Sequence, residues 1–154
     1  MGWLWFRWDD RLKIINIIKP KDDCITWEGL ANEKEVDILL DSGATSNYIS
    51  SKAVSWIKAP TECIYEENQV VFRDGLAQPL TKVCKDLLLQ IGNYKENLDF
   101  SVVDLPNHDV ILGKKWLTAH NPDINWTTNE VILNIKGKTT TLKPKNQNNQ
   151  KAQP

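Results

Sequence analysis

Apolar and polar residues alternate in short runs along most of the chain, a period of two that is typical of β-strands. Residues 12–19 form the first such run, which is rich in β-branched side chains. The later runs come in pairs separated by polar or glycine-containing stretches, the pattern of β-hairpins. The predicted turns are residues 31–34, Arg73-Asp74-Gly75, Gly92-Asn93 and Lys136-Gly137-Lys138.

Helical signals are few. Residues 114–120 predict one short helix that begins near Gly113 and is ended by Asn121-Pro122. Residues 50–57 are predicted to form only a short turn. The sequence therefore predicts a mostly β domain with one short C-terminal helix.

At 154 residues the chain has the length of one domain with a core of its own. We predict a Trp-rich N-terminal extension over residues 1–20, the folded domain over 21–143 and a disordered polar tail over 144–154. The first apolar stretch, residues 3–6, is too short for a signal peptide or a membrane span, so no membrane contact is expected.

Charge and cysteine content narrow the function classes. The 19 basic and 20 acidic residues form no basic block, which argues against a nucleic-acid partner. The cysteines Cys24, Cys63 and Cys84 are widely spaced, so we expect no metal, no cofactor and reduced thiols in an intracellular, cytoplasmic setting. The histidines His108 and His120 are expected to be exposed or helix-capping residues.

The candidate chemistry lies at the end of an apolar strand. Val36, Ile38 and Leu40 alternate towards Asp41-Ser42-Gly43. These three residue types are turn formers, and a structural turn is one interpretation. The other is that Asp41 is a catalytic carboxylate. Peptide hydrolysis by carboxylates needs two of them sharing a proton, and a chain with one such motif can supply two only as a two-fold dimer.

Two separated motifs resemble the retropepsin-type aspartic proteases of gypsy-type LTR retrotransposons. The first is "LLDSGATSNYIS", and the second is "DLPNHDVILGKKWLTAHNPDINWTTNEVIL" about seventy residues later. The resemblance covers roughly residues 25–133, with a hairpin between the motifs where the family has its flap. One departure is Asn125, where the family usually has an acid before the tryptophan.

The resemblance implies a small closed β-barrel-like domain that works as an obligate homodimer with one catalytic aspartate per subunit. It assigns catalysis to Asp41 and the locking of the two active-site loops to the Ser42 hydroxyl. The remaining roles implied are an active-site loop (Ser42, Gly43, Ala44 and Thr45), a substrate-binding flap (Arg73, Asp74 and Gly75) and support of the loop from below (Ile111, Leu112 and Gly113).

The function implied is an aspartic endopeptidase that cleaves a retroelement polyprotein in the cytoplasm or in virus-like particles. One alternative is a catalytically inactive retropepsin-like module for dimerisation or peptide binding. Another is a retropepsin-like domain of the ubiquitin pathway, although no ubiquitin-like or ubiquitin-binding segment is visible. The intact Asp-Ser-Gly favours the enzyme, because a binding module has no physical need for a buried acid at a dimer axis.

Overall fold

The computed structural model describes residues 12–15, 25–72 and 77–145, with only the backbone described at 12–15, 65–68 and 72. Strands dominate these residues, as the alternating pattern predicts. The elements are β1 (Leu12–Ile15), β2 (Ile25–Ala31), β3 (Lys34–Leu40), β4 (Tyr48–Ser50), α1 (Ser51–Ile57), β5 (Glu62–Phe72), β6 (Ala77–Ile91), β7 (Tyr94–Val103), β8 (Val110–Leu112), α2 (Lys114–His120), β9 (Asp123–Asn125), β10 (Glu130–Ile135) and β11 (Lys138–Leu142).

Six strands close into a barrel. Their order is β6-β2-β3-β8-β4-β7, and β7 pairs back onto β6. The β3–β8 and β4–β7 pairs are parallel, whereas the other barrel pairs are antiparallel. β5 extends the sheet from β6, and β1 adds to β5 in parallel. The closed barrel confirms the predicted fold class, and β9, β10 and β11 form a separate three-stranded sheet.

Two apolar clusters form the core. The larger one contains the buried Trp27 and Trp116 rings, which meet edge to face at 6.2 Å between centroids. The smaller one joins the end of β3, the following loop and the β5–β6 hairpin, and it holds the candidate site in place. Its buried members are Leu39, Ala44, Tyr48, Val70, Leu80, Val103 and Ile111.

Residues 51–57 form a helix, where the sequence predicted a turn. The Ser50 side chain accepts a hydrogen bond of 2.9 Å from the Ala53 N–H, so it caps α1. Ala53 and Ile57, one helical turn apart, are the residues that α1 buries. The described part of the chain therefore has two short helices, and the expectation of a single helix was wrong.

The predicted hairpins form, with one difference in β6. The sequence predicts two separate strands over residues 77–83 and 85–91, but β6 runs unbroken over 15 residues. Its register with β7 shifts between Cys84 and Leu87, and Asp86 lies there with a φ of 57°. A bulge of this kind bends a long strand around a small barrel.

Both ends of the described range contact other strands. β1, within the predicted N-terminal extension, pairs with β5. Pro144 and Lys145, at the start of the predicted tail, are buried and half-buried. The rest of the Trp-rich segment, Cys24 and the predicted flap tip lie outside the described residues. In the part that is described, no helix has the length and apolar character needed to cross a membrane.

Candidate active site

Asp41 lies directly after β3 and is 8% exposed. Its N–H donates to the Leu112 carbonyl at 2.9 Å, which continues the β3–β8 pairing by one residue. Its Oδ1 accepts from the Gly43 N–H at 2.9 Å, whereas Oδ2 is buried and has no hydrogen-bond partner among the described residues. Burial raises the pKa of Asp41 above 3.8, although the Gly43 N–H and the charge of His108 act in the opposite direction.

The loop after Asp41 turns sharply. The Ala44 N–H donates to the Asp41 carbonyl at 3.0 Å, so residues 41–44 form a tight turn. Ala44 is buried in the smaller apolar cluster, and Ser42 and Thr45 are exposed. The Thr45 and Tyr48 hydroxyls are hydrogen-bonded at 3.1 Å, which ties the end of the turn to β4. The four predicted loop residues thus lie together next to Asp41.

Ile111, Leu112 and Gly113 lie beneath this loop. β8 pairs with β3 in parallel, with Leu112 opposite Leu40. Gly113 is so close to the loop that an added Cβ would lie 2.1 Å from the Ser46 carbonyl oxygen and 2.5 Å from that of Ala44. The two sequence motifs are therefore in direct contact, although about seventy residues separate them.

Asn47 is a residue of this site that sequence reasoning missed. It is 3% exposed, and its Oδ1 accepts a hydrogen bond of 3.1 Å from the Gly113 N–H. A buried amide needs a hydrogen-bond partner. The position of Asn47 in the sequence, between the active-site loop and the apolar start of β4, could therefore have indicated a structural role.

Of the predicted flap hairpin, the structure describes the two strands. β5 and β6 pair antiparallel up to Val71 and Ala77, and the tip residues Arg73, Asp74 and Gly75 lie outside the described part. Val70 of β5 belongs to the same apolar cluster as Ala44, so this cluster links the hairpin to the active-site loop.

Two side-chain hydrogen bonds hold this hairpin close to its tip. The Gln78 Nε2 donates to the Asp104 carbonyl at 3.1 Å, and the Asp104 N–H donates to the Gln78 Oε1 at 3.0 Å. These two bonds join β6 to the segment that leads from β7 to β8. No motif in the sequence indicated this contact.

The histidines are neither exposed nor simple caps, which corrects the sequence prediction. His108 Nδ1 lies 2.6 Å from Asp37 Oδ2, and His120 Nε2 lies 2.7 Å from Glu96 Oε1. Their side chains are 13% and 12% exposed. Both pairs join segments that are distant in the sequence, so local patterns could not indicate them.

A groove of about 470 Å³ lies beside Asp37, and Asp41 does not line it. Lys145 Nζ crosses this groove, 3.1 Å from Asp37 Oδ1 and 3.8 Å from Glu28 Oε2. Burial opposes ionisation of Asp37, but hydrogen bonds from His108 and Lys145 hold its pKa below 3.8. Within the described residues, no three His, Cys, Asp or Glu side chains are grouped as metal ligands would be.

The six strands form a closed barrel, and its Asp-Ser-Gly loop contacts an apolar strand and a glycine. These features define a retropepsin-type fold. The family model described as the PEG10/RTL1 protease domain matches residues 37–140. The chain belongs to this family, the gypsy-derived, retropepsin-like proteases.

Solved structures agree on the fold. The retroviral protease-like domain of Ddi1 from Leishmania major aligns over 81% of this chain and 96% of its own, with a TM-score of 0.60 and 13% identity. The EIAV protease, solved in complex with the inhibitor HBY-793, aligns over 67% of this chain and 93% of its own, with a TM-score of 0.51 and 16% identity.

Proposed function

We propose that the chain is an aspartic endopeptidase whose active site is built from two Asp41 carboxylates, one from each subunit of a homodimer. The observation that carries the proposal is the environment of Asp41. One carboxyl oxygen is held by the Gly43 N–H, and the other is buried with no partner in the described part of the chain. A second carboxyl group sharing a proton across a two-fold axis would satisfy that oxygen.

The two carboxyl groups would divide the chemistry between them. The ionised one takes a proton from water, whose oxygen attacks the peptide carbonyl carbon. The protonated one donates its proton to the carbonyl oxygen, giving a neutral gem-diol intermediate. Collapse of this intermediate breaks the C–N bond as the nitrogen leaves with a proton. Burial raises the pKa of Asp41 and so favours the protonated form that one of the two carboxyl groups needs.

The surrounding residues have roles that fit this reaction. Ser42 is exposed beside Asp41, where its hydroxyl could bond to the partner subunit's loop. The β5–β6 hairpin shares an apolar cluster with the loop, and it would act as the flap that closes over substrate and excludes water. An extended peptide would bind between them as an added strand, through main-chain hydrogen bonds.

The substrate class proposed is a retroelement polyprotein, and membership of a gypsy-derived protease family supports it. Processing would take place in the cytoplasm or in virus-like particles. The proposed organisation stays an extension over residues 1–20, a domain over 21–143 and a tail over 144–154.

A second candidate function keeps the fold without catalysis, as a dimerisation or peptide-binding module. The similarity to the Ddi1 domain from Leishmania major also fits a ubiquitin-pathway role. The dimerisation or binding module leaves the buried acid unexplained, since the ionised form of Asp41 has a desolvation cost that such a module does not need.

The test compares the wild-type chain with Asp41→Asn on a peptide library at mildly acidic pH, with a statine-type inhibitor as a control. The matched variant is Asp123→Asn, since Asp123 is exposed on β9. We expect the Asp41 variant to lose roughly 100- to 10,000-fold in cleavage rate and the Asp123 variant to keep its rate. Equal cleavage by all three would refute the assignment of Asp41. A folded, dimeric wild type that cleaves nothing would favour the binding module.

A further inference from the structure

Three consecutive residues at the junction of β8 and α2 bind the segment from Asp41 to Asn47 at three different points. The Leu112 carbonyl accepts from the Asp41 N–H at 2.9 Å, at the start of the loop. The Lys114 N–H donates to the Ala44 carbonyl at 2.7 Å, in the middle. The Gly113 N–H donates to Asn47 Oδ1 at 3.1 Å, at the end. The loop is therefore fixed to one short piece of backbone along its length.

Asn47 supplies the one bond of these three that uses a side chain, and so the one that a substitution can remove. The residue is firmly held, because its own carbonyl accepts from the Ser101 N–H of β7 at 2.9 Å. It links β7 on one side to Gly113 on the other, from a position that is 3% exposed.

The Gly113 N–H has few other ways to be satisfied. Gly113 is the residue before α2, where amide groups have no partner within the helix. It is buried, and the Ser46 and Ala44 carbonyl oxygens close over its Cα. Loss of the Asn47 oxygen would therefore leave a buried donor unpaired, and the loop would have to shift to let another acceptor or water reach it.

We propose that Asn47 is a positioning residue for Asp41, which holds the active-site loop against Gly113 so that the carboxyl groups of two subunits can meet. The inference rests on the proposed function. Two carboxyl groups that share one proton must lie within hydrogen-bond distance, so a small displacement of each loop is doubled across the two-fold axis. Misplacement of a catalytic group by about 1 Å costs roughly 100-fold in rate.

The test replaces Asn47 in the full chain and separates turnover from binding. Asn47→Leu keeps the number and branching of the side-chain heavy atoms without the acceptor. Asn47→Asp keeps an oxygen that can accept, and its protonation at acidic pH removes the cost of a buried charge. Asn134→Leu, at an exposed position of β10, is the matched control. We expect Asn47→Leu to lower kcat roughly 100-fold with little change in KM. Asn47→Asp should recover most of the loss at acidic pH, and Asn134→Leu should match the wild type.

Two NMR readouts report on the loop without any need for activity. In Asn47→Leu the titration of the Asp41 carboxyl carbon should move towards an ordinary aspartate, because a displaced loop admits water. Hydrogen exchange at the Gly113 amide should become faster. A folded Asn47→Leu with wild-type kcat, Asp41 titration and Gly113 exchange would overturn the proposal. If the leucine variant does not fold, Asn47→Ser gives the same test, because the serine side chain is too short for its hydroxyl to reach the Gly113 N–H.

These readouts keep the two proposals apart. If the wild type cleaves no peptide, the proposed function fails, and the Asp41 titration still decides whether Asn47 positions the carboxyl group. If the wild type is active and Asn47→Leu is indistinguishable from it, only the role of Asn47 fails.

Discussion

Asp41 should make the folded chain less stable when it is ionised. Its pKa is raised by burial, so the folded state holds its proton more tightly than the unfolded state does. Stability therefore falls as pH rises from the unfolded pKa, near 3.8, through the folded one, and the penalty is complete above it. We predict that Asp41→Asn is more stable than the wild type at neutral pH and that the difference disappears at low pH.

Urea unfolding of both proteins across this pH range measures the effect, at one fixed protein concentration because a dimer would be concentration-dependent. Asp123→Asn controls for the loss of a negative charge at an exposed site. A wild type that equals or exceeds Asp41→Asn in stability at neutral pH would mean that the carboxylate is well solvated or paired in the folded protein.

Gly113 has no space for a side chain. A methyl group added there would meet backbone oxygen atoms of Ser46 and Ala44 at 2.1 and 2.5 Å, and backbone cannot move away as a side-chain end can. We predict that Gly113→Ala lowers the free energy of unfolding by roughly 3 kcal/mol.

Gly137→Ala is the matched control for this variant. Gly137 has open space around it and a φ of 80°, so its substitution should cost only about 1 kcal/mol through backbone strain. The two values come from thermal or denaturant unfolding. A Gly113→Ala that costs no more than Gly137→Ala would show that the loop moves freely away from β8.

At the scale of elements, the sequence predicted what repeats locally and missed what depends on distant contacts. The hairpins were predictable because alternating strands flank turn residues, as at Gly92-Asn93. α1 was missed because its start depends on the Ser50 cap, whereas the equally short α2 is marked by Gly113 before it and by Asn121-Pro122 after it. The unbroken β6 was missed because it depends on a bulge at Asp86, imposed by closure of the barrel.

The residues of the candidate site are also of two kinds: some were predicted from local motifs, and others depend on distant contacts. Asp41 and Gly113 were found from their motifs, which carry recognisable residue types in the right order. Asn47 and Gln78 were not found, because their importance comes from backbone partners far away in the sequence, at Gly113 and Asp104. A single side-chain amide has no pattern of its own that would reveal such a partner.

The ion-paired cluster around Asp37 joins three segments that are distant in the sequence, and it should weaken at low pH. Asp37 on β3 meets His108, just before β8, and Lys145, beyond β11. Its pKa is below 3.8 in the folded protein, so its contribution is complete above the unfolded pKa and is lost as pH falls through the folded one. We predict that Asp37→Asn costs roughly 1 kcal/mol at neutral pH, a modest figure because the charges remain partly hydrated.

Acid titration of the unfolding free energy measures this loss. The wild type and Asp37→Asn should converge at low pH, where the wild-type carboxyl group is protonated as well. The exposed carboxylate Asp123, changed to asparagine, again serves as the control. A gap between the two proteins that persists at low pH would point to lost packing or hydrogen bonding and not to lost charge.

The proposed reaction needs more carboxyl groups than one described barrel provides. The reaction needs two carboxyl groups, and the barrel presents one Asp-Ser-Gly loop, with its Ser42 exposed. In the proposed mechanism a second copy of the chain would supply the missing group, and activity would then depend on concentration. Dilution alone is an ambiguous test of this idea, because dilute protein is also lost to surfaces and unfolding.

Mixed dimers test the idea at constant total concentration. Equal amounts of wild type and Asp41→Asn, unfolded together and refolded, should pair at random, so about one quarter of the dimers carry two Asp41 residues. If both are required, activity should be about one quarter of that of the same total amount of wild type. Asp123→Asn mixed with wild type in the same way should give full activity, which controls for refolding losses. A value of about one half would mean that each chain carries a complete active site, and the dimeric mechanism would then be wrong.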